Sequence, residues 1–229
     1  MDDDAKEVDS PFSVNPVDQR KRKKKKSFLQ KQRKFGKSGR FGRGREIDRE
    51  TYDYFVRVLE QLNQGFELDK DAQEIFVANV FETTLNEETT LCGNQLVSRV
   101  IERLLPMATQ QIRIRFMERL ADDLRIVAVD PFSSHVLETL LHLATFAQMS
   151  DGSQSGDLQE EQLVFRRNWV VRVSKFMINN FDEFSKDVYA SHLLRTCFQC
   201  LGGTRLEDGI TRSRKSRDQQ PNASTAHQR

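Results

Sequence analysis

Apolar residues recur along much of the chain at steps of three and four, the spacing of one face of a helix. Tyr52, Phe55, Val56, Leu59 and Leu62 form the first such stripe, with Asp48 where an N-cap belongs. A second follows from about Lys70, with Ala72, Ile75, Phe76 and Val80 expected on its buried side. Ile112, Phe116 and Leu120 mark a third from about Gln110, and Trp169, Val170, Val173, Phe176 and Met177 a fourth. Interleaved with these stripes are three segments of one design: QLVSRVIERLL, PFSSHVLETLL and VYASHLLRTCF, with Ser98, Ser134 and Ser191 in register. The first interval is 36 residues, inside the range of helical solenoid repeats. The second is 57 residues, and its excess falls on the polar stretch SDGSQSGDLQEE, so residues 146–165 are expected to be a loop insertion between two repeats. The pattern predicts an all-α helical-repeat solenoid of about three repeats over 69–203, preceded by a capping helix over 46–68.

A helical wheel assigns the faces of the shared segment. In its second copy Phe132, Ser133, Val136, Leu137, Leu140 and Leu141 occupy one half of the circumference, and Ser134, His135, Glu138 and Thr139 the other. The same three polar places hold Ser98, Arg99 and Glu102 in the first copy and Ser191, His192 and Arg195 in the third. Each repeat thus offers a short hydroxyl, a flat aromatic or cationic group and a long polar end. One solvated helix face is ordinary, but three faces matched place by place point to a repeated binding surface.

Charge divides the chain. Between Arg20 and Arg45 there are 14 Lys and Arg and no acid, whereas residues 46–203 carry 15 basic and 25 acidic groups. Residues 1–45 are therefore expected to be a disordered basic arm that serves as a nuclear address, or as that and a non-specific nucleic-acid contact, its Phe-Gly pairs stacking on bases. The polar residues 204–229 are expected to be a disordered tail. GGTRLEDGITRSRK carries no apolar stripe to cover Leu194 and Phe198 at the end of the third repeat. The chain has no apolar run of the roughly 18 residues that a membrane helix needs, so no membrane partner is expected. Met-Asp-Asp-Asp opens it with no apolar stretch behind, which points to a reducing compartment and free thiols for its three cysteines.

The 36-residue period, the Ser-Arg/His pair and the Glu or Arg three residues further on resemble the Pumilio (PUF) repeat. KFGKSGRFGRGR, RETYDYFVRVLEQL, LVSRVIERLLP and VYASHLLRTCFQCLGG resemble more narrowly the nucleolar Pumilio-repeat proteins of small ribosomal subunit biogenesis. The resemblance implies a Pumilio-type solenoid that binds RNA on the face lined by the second helices, each repeat reading one base by edge contacts from its first and fifth places and stacking from its second. It makes Ser98, Arg99, Glu102, Ser134, His135, Glu138, Ser191, His192 and Arg195 the RNA-binding residues. It implies a nucleolar protein of the nucleus that acts on precursor ribosomal RNA during 18S maturation, with pre-ribosomal assembly factors as further partners. The family's array is longer than three repeats, so the chain resembles its N-terminal portion.

Other chemistries find less support. Cys197 and Cys200 form a lone CxxC on a helix with no second pair, so buried core thiols are expected rather than a metal site. Ser134 and His135 are adjacent on a helix and point about 100° apart, which does not set them up to share a proton. No phosphate-binding glycine loop accompanies them, so neither an enzyme nor a cofactor is expected. The rival reading is a nuclear protein-interaction scaffold of armadillo or HEAT type, whose second helices have no need of a stacking group at one fixed place.

Overall fold

In the computed structural model, residues 27–37, 39, 41–65, 69–146 and 157–203 are described. Two helices, α1 (Phe28–Lys37) and α2 (Arg49–Gln64), precede three repeats of three helices each. The first repeat holds α3 (Lys70–Glu82), α4 (Glu88–Cys92) and α5 (Gln95–Leu104), the second α6 (Gln110–Asp122), α7 (Leu124–Val129) and α8 (Ser133–Phe146). The third holds α9 (Asp157–Asn179), α10 (Phe181–Phe184) and α11 (Ala190–Gly202). No strand occurs among the described residues, and none of their helices is long and apolar enough to cross a membrane.

Short side chains start these helices. Asp48, Asp69 and Thr109 accept from the backbone N–H three residues on, at 2.9, 2.8 and 3.5 Å, and so satisfy an amide that a helix N-terminus leaves unpaired. The second helices share a cap of their own. Asn94, Asp130 and Asp187 each stand four residues before the aligned serine, and the side-chain oxygen of each accepts from the amides that open α5, α8 and α11. The repeat period is therefore written in the caps as well as in the stripes.

The repeats share one continuous core. Leu91, Val127 and Phe184, each seven residues before its serine, are at most 1 % exposed and wedge the short helix of each repeat inside. Phe81 of the first repeat meets Phe116 of the second edge to face at 5.3 Å, and the Trp169 indole N–H of the third donates to the Met117 carbonyl at 2.6 Å. Such joins between successive units are what hold a solenoid together.

Three expectations change. Ile75 is 62 % exposed; Val80 is buried and Phe76 packs partly buried against the core as expected, and Val77 and Phe81 join them. Phe81 at the end of α3 meets Phe116 of α6, so the next repeat takes part in deciding which face of α3 is buried. The insertion is shorter than 146–165, because α8 continues to Phe146 and α9 begins at Asp157; residues 147–156 lie outside the described ones. The arm is not disordered through residue 45: α1 is a helix, and 41–45 is bound along the start of α5. Residues 1–26 and 204–229 lie outside the described residues.

That N-terminal docking has a clear physical basis. The buried Tyr52 hydroxyl bonds to the Gln32 carbonyl and Oε1 at 3.0 and 2.7 Å. Burial, with the Asp53 charge adding to it, pushes the Tyr52 phenol up to about 12, so it keeps its proton and remains a donor. Asn94 Nδ2 donates to the carbonyls of Phe41 and Arg45 at 2.9 and 3.0 Å. At Gly44 (φ +93°) a Cβ would come within 2.1 Å of the Gly93 carbonyl and 2.6 Å of the Phe132 ring, so this approach requires glycine.

Candidate nucleic-acid interface

The second helices α5, α8 and α11 pack side by side, and their matched places fall into rows. The first row is more enclosed than the wheel implies. Ser98 and Ser134 are 2 % and 4 % exposed, because the neighbouring second helix covers the seam where they stand. Ser98 Oγ donates to the Gln95 carbonyl at 3.4 Å and Ser191 Oγ to that of Val188 at 3.2 Å. The Ser134 hydroxyl has no hydrogen-bond partner among the described residues. Buried polar groups are rarely left so.

In the second row Arg99 and His192 are exposed and His135 is half-buried. Each meets a partner within the chain. The Arg99 guanidinium lies 4.2 Å from the centroid of the Phe28 ring, His135 Nδ1 is 3.6 Å from Glu138 Oε2, and Arg195 Nη2 is 2.7 Å from His192 Nδ1. These contacts hold the flat groups in defined poses along one face.

In the fifth row Glu102 and Glu138 are half-buried and Arg195 is exposed. Glu138 also accepts from the Thr196 hydroxyl of the next repeat at 3.0 Å. Burial works against the Glu138 charge, but hydrogen bonds from His135 and Thr196 and the attraction of His135 and His142 outweigh it, holding the carboxyl below its ordinary value. Ser134, His135 and Glu138 together with Tyr189, His192 and Leu193 line a cleft between the second and third repeats. The orphaned hydroxyl, a carboxylate and two imidazoles thus gather at one opening.

All nine residues singled out in the sequence lie on these three helices, the second-row and fifth-row groups more accessible than the first-row serines. Periodicity missed Tyr189, Thr196 and Phe28. Tyr189 and Thr196 act across a seam between repeats, and Phe28 comes from a segment read as unstructured. The caps Asn94, Asp130 and Asp187 could have been found, since an Asn or Asp stands four residues before each aligned serine.

Cys92, Cys197 and Cys200 are buried free thiols, burial having been expected for Cys197 and Cys200. Burial raises all three, and pushes the Cys197 thiol up to about 11. Cys200 Sγ donates to the Leu141 carbonyl at 3.7 Å, tying α11 to α8.

Comparison with known proteins settles the family. Residues 86–228 match the model of the NOP9-like PUF repeat domain. The chain belongs to that family. Its relatives include Nucleolar protein 9 of Meyerozyma guilliermondii, 24 % identical over 177 residues, which covers 75 % of this chain and 25 % of the relative. Nucleolar protein 9 of Debaryomyces hansenii is 28 % identical over 196 residues, covering 75 % and 26 %. The chain thus spans about a quarter of the length of these curated relatives. Among solved structures, APUM23-GGAAUUGACGG superposes with a TM-score of 0.57 at 22 % identity, over 72 % of this chain and 29 % of that one. The likeness supports the Pumilio-type fold, and the relatives' name agrees with a nucleolar protein.

Proposed function

We propose that this chain is a nucleolar RNA-binding protein that uses α5, α8 and α11 to hold single-stranded precursor ribosomal RNA during 18S maturation. The observation that carries this reading is the cleft between the second and third repeats. There the buried Ser134 hydroxyl lacks a partner beside His135, Glu138 and His192. A base edge entering the cleft satisfies the hydroxyl, and the imidazoles present flat faces for stacking. Single-stranded RNA recognition asks for that pairing of edge and face. Ser98, Arg99 and Glu102 serve the first repeat in the same roles, and Ser191, His192 and Arg195 the third. The PUF pattern assigns guanine to the Ser/Glu repeats and cytosine to the Ser/Arg repeat. The name Nucleolar protein 9 of the relatives and the RNA sequences in the names of the APUM23 structures support the substrate class.

Magnitudes divide the work. Stacking contributes roughly 1 to 3 kcal/mol per base, so three repeats give about 3 to 9, against about 4 to 15 for association. The repeats alone bind weakly. The folded part is acidic, so affinity depends on the Lys and Arg that precede it, through counterion release.

The test is fluorescence anisotropy with guanine-rich, uracil-rich and random-sequence single-stranded RNAs of twelve nucleotides, read across a salt series. Arg99→Ala/His135→Ala/His192→Ala should lose discrimination between guanine-rich and uracil-rich oligonucleotides while keeping nearly the same salt slope. Replacing the seven cations of Arg20–Lys26 by Ser should flatten the slope for every RNA. Retained discrimination in the triple variant would overturn the assignment of these residues.

A further inference from the structure

The register of the second helices extends one helix further back. Asp48 opens α2 where Asn94 opens α5, and the residue four places on, Tyr52 or Ser98, donates its amide to the cap's carbonyl at 3.1 or 2.9 Å, although the Asp48 side chain accepts from the third amide, as the first-helix caps do. Counting from the caps puts Tyr52 in the place of Ser98, Asp53 in that of Arg99 and Val56 in that of Glu102. α2 packs beside α5 as α5 packs beside α8. The row of second helices therefore has four members, and α2 is its N-terminal one.

The first place of that fourth member is already filled, while Asp53 in its second place stays exposed. Gln32 of α1 takes the Tyr52 hydroxyl, and both residues are at most 1 % exposed. One turn further, a Cβ on Gly36 would stand 3.4 Å from Tyr52 Cε1 and 3.8 Å from Asp53 Oδ1, so α1 crosses close above the first and second places of α2. Gln32 Nε2 also reaches Gln95 Oε1 of α5 at 3.4 Å. At the other end of α1, Phe28 lies on Arg99, 4.2 Å from guanidinium to ring centroid.

We propose that α1 is a built-in occupant of the RNA groove: it covers Tyr52 at the first place of α2 and sets Phe28 on Arg99 in the position of a stacked base, so RNA that stacks on Arg99 must displace the first turn of α1. This rests on the reading of the groove as an RNA site. The two halves of α1 are held unequally. Its C-terminal half is anchored by the buried Gln32–Tyr52 pair. Its first turn has the half-buried Phe28 and Leu29 against the edge of the core, the Phe28–Arg99 contact, and a reciprocal cap between Ser27 and Gln30 that is exposed to water. Half-buried and exposed contacts of this kind open more readily than the fully buried Gln32–Tyr52 pair. Lys34 and Lys37 stay exposed on the anchored half, where they meet phosphates whichever way the first turn lies.

The test uses the full chain and the same random twelve-nucleotide RNA. Phe28→Ala removes the ring and keeps every cation, so it should tighten binding about two- to five-fold, the equivalent of one exposed cation–π contact. Phe28→Trp, which stacks better on a guanidinium, should weaken it by a similar factor. Neither change should matter in an Arg99→Ala background. In the wild-type chain, RNA should speed hydrogen exchange at amides 28–31 and leave α2 protected. RNA that binds with no response to either Phe28 variant, or that slows exchange at 28–31, overturns the proposal and leaves the groove reading standing. If no variant binds RNA, the groove reading fails and the occupant fails with it.

Discussion

The two ends of the helical row are built differently. At the N-terminal end α1, α2 and residues 41–45 close over the first repeat, with Tyr52, Phe55 and Phe81 fully buried. At the C-terminal end the equivalent positions lie open. Leu105, Leu141 and Phe198 occupy one place in the three repeats and are 0 %, 0 % and 51 % exposed; Ala108, Ala144 and Leu201 occupy another and are 3 %, 3 % and 48 %. Phe181 is 48 % exposed where Leu124, its counterpart, is 5 %. Each repeat buries its neighbour's apolar side, so a position's burial is decided by the next unit along the row as much as by its own sequence.

Truncation at matched ends gives the largest expected contrast. Tyr52→Ala removes a buried ring and strands Gln32, and should cost about 3 to 5 kcal/mol of stability in denaturant unfolding. Phe198→Ala should cost under about 0.5 kcal/mol, as for an ordinary surface change. Equal losses at the two ends would erase the asymmetry. Asn94→Ala comes next. It removes both the cap of α5 and the two bonds that hold 41–45, for about 2 kcal/mol in the same assay. Exchange of the Arg45 amide, which donates to the Gly93 carbonyl at 3.0 Å, should rise with it.

The smallest effect lies at the seam between the second and third repeats. The Glu138 carboxyl is held below its ordinary value, so its contribution is fully present above the unfolded-state value and disappears as pH falls through the lower folded one. Unfolding titrations from pH 6 down to about pH 3 should show wild type losing more stability than Glu138→Gln, by about 1 kcal/mol or less for one half-exposed group. Parallel curves would remove Glu138 from the link to Thr196.

The difference between the ends also explains what the sequence could and could not reveal. Ser98, Ser134 and Ser191 made the repeats legible because a solenoid copies its local rule, and Phe116, Leu120 and Trp169 took the burial their stripes implied. Contacts made once, between non-equivalent elements, left no periodic trace. Phe28 on Arg99, Gln32 under Tyr52 and Asn94 across Phe41 and Arg45 join a charge-dense segment to the first repeat. Composition alone gave that segment no partner, yet a few apolar and amide side chains within it suffice to dock it. Ser134 was placed on the correct helix but on the solvated half, because a wheel knows one helix and the covering surface belongs to the next.

The central claim is that RNA lies along the second helices. Its most direct measurement is photo-crosslinking of the full chain to 4-thiouridine-containing single-stranded RNA, with the adducts located by mass spectrometry. The account predicts adducts in the stretches of α8 and α11 that hold Ser134 to Glu138 and Ser191 to Arg195, with fewer at Arg99 until Phe28 is replaced by Ala. Adducts confined to the first helices α6 and α9, with α8 and α11 unmarked, would contradict it.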